Sequence, residues 1–229
     1  MRPDIQTLQA YYKSPAGCKT EARLCAILNP MLIQHTQARL LGLGYGVPFL
    51  QGVQTRVERL VLAMPASQGV ARWPLGSDNL ACLVDDGSLP FTDSLFDQIL
   101  VVHALEFAGP ARRLLRELWR VLAPGGKLLF IVPNRTSLHM LSPHSPFASG
   151  QPYTRQQLHS LLTEALFQPL SWQTALTLPS MLGGSRLDHV ISQSGLGGVH
   201  IVEATKQVGA MPKTYPSAGK RVLASAPAH

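Results

Sequence analysis

The sequence predicts an α/β protein, a parallel sheet covered by helices, on three observations. Helical and strand-like segments alternate along the chain. Residues 98–102 of "FDQILVVHALEF" form a continuous apolar run, the pattern of a strand buried on both faces. In "ARRLLRELWRVL", Leu114, Leu115, Leu118, Val121 and Leu122 share one face while four arginines and Glu117 take the other. That is an amphipathic helix, and "APGG" stops it.

The elements follow in order. A helix is expected over 20–33, with Leu24, Ile27, Leu28 and Leu32 at helical spacing and Pro30 setting an early end or a kink. A strand at 39–43 runs into the glycine turn of "LGLGYG", and "LQGVQTR" begins a helix or its connection. Further strands are expected at 59–64, at 80–84 (ending on Asp85 and Asp86), at 98–102 and in "KLLFIVPN". The stretch from Asn134 to Tyr153 is a loop longer than a compact domain tolerates without a purpose. Thr154 then caps the helix "TRQQLHSLLTEALF". A strand near 170–178, a Gly-rich stretch with a short helix, and a last strand in "GVHIVEATKQ" complete the chain's body.

Composition narrows the class. The 229 residues suit one domain, residues 1–205, followed by a tail, residues 206–229. Hydrophobic residues at 45% against 14% charged ones predict a well-filled core. Cys18, Cys25 and Cys82 are odd in number and lack CxxC spacing, so they read as reduced thiols. The first residues have no signal-peptide pattern, and no apolar run approaches the ~20 residues of a membrane span. A soluble, cytoplasmic protein is expected. Of the net charge of +7, the tail supplies +4 through Lys206, Lys213, Lys220 and Arg221. Since that tail is rich in Pro, Ala, Gly and Ser and the body carries only +3, nucleic acid is not the expected partner.

From Arg39 to Asn134, about 95 residues, the order and spacing resemble the class I, Rossmann-like S-adenosylmethionine-dependent methyltransferases, in the branch acting on small molecules. Gly44 and Gly46 match the first two glycines of the cofactor turn. "DDGSLPFTDSLFDQIL" is similar to the family's acid, "LPF" and strand-opening "FD". "LLRELWRVLAPGGKLLFIVPN" is similar to the helix, turn and strand that follow. The resemblance implies a three-layer α/β/α sandwich with a mostly parallel seven-stranded sheet and an antiparallel last strand. It implies S-adenosylmethionine as cofactor, held by Gly44, Tyr45, Gly46, Met64, Asp85, Asp86, Gly87 and His103. Asp85 would accept from the adenine amine, with the Asp86 backbone close to the ring. Physical sense supports these places: glycine lets main chain approach a ligand, and open α/β sheets bind ligands at the carboxyl ends of their strands.

Three departures set this chain apart. The family's acid after the first strand falls on Gly42, and its ribose-binding acid falls on Met64 or Pro65. A hydrogen bond to a charged group contributes roughly 1.5–3 kcal/mol, so each loss weakens binding about tenfold to a hundredfold. Tyr45, Ser67, Gln68 and Trp73 are the groups near enough in sequence to compensate. Pro48 replaces the third glycine and removes an amide donor.

His103, just past the fourth strand, is the candidate general base; the alternative is that it packs or caps against "ALEF". Glu106 either orients a substrate or caps the helix beginning near Pro110. The 134–153 loop, with His139, His144, Phe147 and Tyr153, has the makings of a lid, and no metal site is expected. Two functional readings follow. One is methyl transfer to a small-molecule acceptor. The other is a non-catalytic methyltransferase-like domain, with cofactor binding weakened or lost, that works through a protein partner.

Overall fold

In a computed structural model, residues 2–33, 35–140, 143–176 and 197–209 are described; side chains are described for these except residues 138–140. The first helix, α1 (Ile5–Lys13), arises where sequence reading assigned none. Asp4 starts it by accepting from the Thr7 amide at 2.7 Å. Ser14 then ends α1 and opens α2 (Pro15–Leu28): its hydroxyl bonds the Tyr11 carbonyl at 2.6 Å and accepts from the Gly17 amide at 3.1 Å. Gly17 is required there, since a Cβ would overlap the Tyr11 carbonyl oxygen. The helix expected over 20–33 therefore starts earlier and stops at Leu28, before Pro30.

The strands are β1 (Arg39–Gly44), β2 (Arg59–Pro65), β3 (Ala81–Val84), β4 (Phe96–Val102), β5 (Leu122–Pro133), β6 (Phe167–Ala175) and β7 (Val199–Lys206). They form one sheet in the order β3-β2-β1-β4-β5-β7-β6. β1 to β5 pair in parallel, and β7 runs antiparallel between β5 and β6. This is the seven-stranded, mostly parallel Rossmann-like sheet that the sequence implies. β6 starts three residues earlier than expected, and the Gly-rich stretch with its short helix falls outside the described residues. Lys206, read as the first residue of the tail, instead closes β7: it is buried and donates to the Leu122 carbonyl at 2.7 Å.

Helices cover both faces. On one, α1 and α2 bury Leu8, Tyr12, Leu24 and Leu28 against Leu40, Leu62, Met64 and Leu100. On the other, α4 (Ala111–Val121) and α5 (Arg155–Glu164) bury Leu114, Leu118, Leu158 and Leu162 against Leu41, Leu43, Ile99 and Phe130. α5 carries the expected cap as a full capping box between Thr154 and Gln157. Between β1 and β2 the only regular helix is α3 (Val47–Leu50), a single turn, so "LQGVQTR" is a run of turns. Asp97 bonds the Arg39 amide at 2.8 Å and its guanidinium at 3.2 Å, a structural role in line with its place at the head of β4. Among the described residues no helix is long and apolar enough to cross a membrane.

Candidate cofactor and acceptor site

The switch point of the sheet lies between β1 and β4, where Gly44 pairs with Val102. Gly44 has φ +91°, and a Cβ on it would overlap the Val102 carbonyl oxygen. Its glycine requirement thus comes first from the neighbouring strand. The Tyr45 amide bonds that same carbonyl at 2.9 Å, and Gly46 opens α3 by accepting from the Phe49 and Leu50 amides. The Pro48 departure is accommodated at the start of this turn of helix, where a missing amide costs nothing.

Gly42 shows what replaced the family's acid. A Cβ there would meet Leu62 Cδ2 at 2.6 Å and Leu50 Cδ1 at 2.7 Å, so the volume belongs to packed leucines. Met64 is fully buried in the same layer. Both positions are core, and neither offers a polar group.

The third strand's exit carries polar groups, with some already engaged. Asp85 Oδ1 accepts from the Gly87 amide at 2.8 Å, and its Oδ2 lies 3.7 Å from Arg113. Asp86 Oδ2 is held at 2.8 Å by Arg2, whose guanidinium also bonds Ser67 Oγ at 2.6 Å and the Ala104 carbonyl at 3.3 Å. Arg2 lies over the Phe107 ring at 5.9 Å, and the Ile5 amide bonds the Gln68 carbonyl at 2.8 Å. The segment before α1 therefore straps together the exits of β2, β3 and β4. No feature of its sequence announced this.

His103 leaves β4 with φ +55° and is fully buried. Its Nε2 is 2.9 Å from the Tyr12 hydroxyl, and Phe147 packs on its ring at 4.2 Å between centroids. Its Nδ1 faces Glu106 Oε1 at 3.5 Å. Glu106 sits in a 3-10 turn, residues Leu105–Phe107, and does not cap α4, which starts at Pro110 with no side-chain cap. Phe147 thus comes from the long loop onto His103, and the His139 side chain lies outside those described. Tyr12 also touches Tyr45 and Phe49, closing an aromatic wall at the glycine turn. Burial, then the neighbouring phenols, holds the Tyr12 hydroxyl well above its ordinary pKa; burial pushes Tyr45 up to about 12. Both are neutral hydroxyls at pH 7.

Several buried polar atoms in this region have no hydrogen-bond partner: Arg2 Nε, both amide atoms of Gln68, His103 Nδ1 and both carboxylate oxygens of Glu106. Such groups are rare in a finished core, because leaving one unpaired costs about 1–3 kcal/mol. They suit a ligand carrying both donors and acceptors. Beside the glycine turn, a cavity of about 560 Å³ is lined by Lys13, Tyr45, Val47, Gln54, Arg72 and Trp73 among others. The described residues contain no cluster able to hold a metal ion.

Comparison with known proteins now gives the class. Residues 41–130 match a family model described as a methyltransferase domain. Among solved structures, a chain from the "complex between the Haloferax volcanii Trm112 methyltransferase activator and the putative methyltransferase" is 13% identical, with TM-score 0.67. The match covers 89% of this chain and 98% of that one. An S-adenosylmethionine-dependent methyltransferase from Mesorhizobium loti is 15% identical, with TM-score 0.59, over 79% of this chain and 96% of its own. A Thermotoga maritima protein described as a SAM-dependent methyltransferase, possible histamine N-methyltransferase, is 17% identical, with TM-score 0.56, over 82% and 89%. No curated protein matches. The chain is thus similar to a methyltransferase domain over residues 41–130 and shares the Rossmann-like fold of these proteins.

Proposed function

We propose that this protein transfers a methyl group from S-adenosylmethionine to a small-molecule acceptor, with His103 as proton acceptor. The observation that carries the reading is the set of unpartnered buried polar atoms on Gln68, His103 and Glu106, at the carboxyl ends of the strands of a methyltransferase domain. The 560 Å³ cavity is of small-molecule size and its lining includes Lys13 and Arg72, which favours a neutral or acidic acceptor.

The cofactor supplies an electrophilic methyl group, and this chain's residues supply placement. Asp85 and the Asp86 and Gly87 backbone take the adenine end, and Gly44, Tyr45 and Gly46 the other, with Met64 as an apolar floor. Methyl transfer is an in-line displacement that gains much of its rate from positioning. In the tautomer whose Nε2 accepts from Tyr12, His103 draws a proton through that hydroxyl, while Tyr12 and Phe147 cover the ring.

Calorimetric titration with S-adenosylmethionine and S-adenosylhomocysteine tests the reading. Micromolar binding that Asp85→Ala abolishes is the expected result. No heat up to millimolar ligand, from folded protein, overturns it. The filled positions at Gly42 and Met64 and the Arg2–Asp86 pair favour a second reading, a non-catalytic domain acting on a protein partner. A fold neighbour comes from a complex with a methyltransferase activator, which supports a partner in either reading.

A further inference from the structure

This chain lacks the family's acids at the exits of β1 and β2, but a carboxylate lies one strand away. Gly44 pairs with Val102, so the backbone leaving β4 passes directly beside the glycine turn. The left-handed backbone at His103 redirects it, and Glu106 follows within one turn. Its side chain is fully buried, it faces His103 Nδ1 at 3.5 Å, and neither of its oxygens accepts a hydrogen bond.

A desolvated carboxylate without donors is an incomplete site. A ligand carboxylate set against its oxygens would be repelled, and an apolar group would leave both oxygens bare. A protonated amine supplies a compensating charge and three N–H donors, enough for both oxygens. His103 Nδ1 faces only one of the two oxygens, and at 3.5 Å it is too far for a strong hydrogen bond, so the carboxylate is left short of donors.

We propose that Glu106 receives the α-ammonium group of S-adenosylmethionine, a role moved from the end of β1 to the turn after β4. The inference rests on the cofactor-binding reading above. It explains how the glycine turn works with leucines packed where the acid should be.

The test compares two ligands on two proteins. S-adenosylhomocysteine has the amino-acid group, and 5′-methylthioadenosine lacks it. Glu106→Gln, which keeps shape and removes charge, is expected to weaken S-adenosylhomocysteine binding at least about tenfold. It is expected to leave 5′-methylthioadenosine binding within about twofold. Equal losses for both ligands, or no loss for either, overturn the assignment while leaving cofactor binding standing. Should the variant fail to fold, the wild-type comparison decides: S-adenosylhomocysteine must bind at least about tenfold tighter than 5′-methylthioadenosine. Equal affinities overturn the role of Glu106, and no binding of either ligand overturns the cofactor reading with it.

Discussion

Gly42 and Gly44 sit two residues apart on one strand and are glycine for different reasons. At Gly44 the backbone is left-handed and the Val102 carbonyl occupies the place of a Cβ. Gly44→Ala is expected to destabilise by at least about 2 kcal/mol, read from the urea midpoint. At Gly42 the obstacle is side-chain packing. Gly42→Asp, which restores the family's acid, is expected to destabilise strongly by clashing with Leu50 and Leu62; adding Leu50→Ala is expected to recover part of the loss. Simple additivity of the two changes would refute the packing account. His200, on β7, offers a pH test. Burial first, and the Arg155 charge second, lower its pKa to about 4, against an opposing hydrogen bond with the Tyr153 backbone. The folded state therefore keeps it neutral, while the unfolded chain binds a proton below about 6.5. Its contribution is full above that pH and is lost as pH falls towards 4, up to ~3 kcal/mol. Chemical denaturation between pH 7.5 and 4.5 should show that slope, and His200→Gln should flatten it.

Helix α1 and the segment before it are tied to the exits of β2, β3 and β4. Tyr12 reaches His103 from one side of α1, and Arg2 crosses to Asp86 just upstream. Arg2 holds Asp86 and the Ala104 carbonyl, and in the proposed cofactor placement the adenine end would compete with it for Asp86. Arg2→Ala is expected to lower the melting temperature and to tighten S-adenosylhomocysteine binding several-fold; weaker binding would make Arg2 a ligand contact instead. At α5 the boundary is held by one motif. Thr154→Ala breaks the capping box and should cost about 1 kcal/mol in the unfolding free energy, without changing ligand affinity.

For the whole molecule, the parallel sheet follows from local signals. The buried runs of β4 and β5, the arginine-faced α4 and the alternation of elements specify a parallel sheet, and each is visible within a dozen residues of sequence. The places of Asp85, Gly44 and His103 at strand ends were likewise legible, because a strand's carboxyl end is identifiable from the run before it. α1 was not: its apolar face is short, and its start depends on the single cap at Asp4. The orphaned Glu106 carboxylate and the Arg2 strap were invisible for another reason. Each is defined by what it meets, or fails to meet, across separations that no periodicity encodes. Sequence alone determined the fold class and the absence of an acid at Gly42 and at Met64, since these rest on residue type and local pattern. Only the tertiary structure decided that leucines fill the place of the first acid, that Tyr12 completes the His103 environment, and that a buried carboxylate accepting no hydrogen bond stands beside it. Packing and partner satisfaction are properties of residues brought together by the fold.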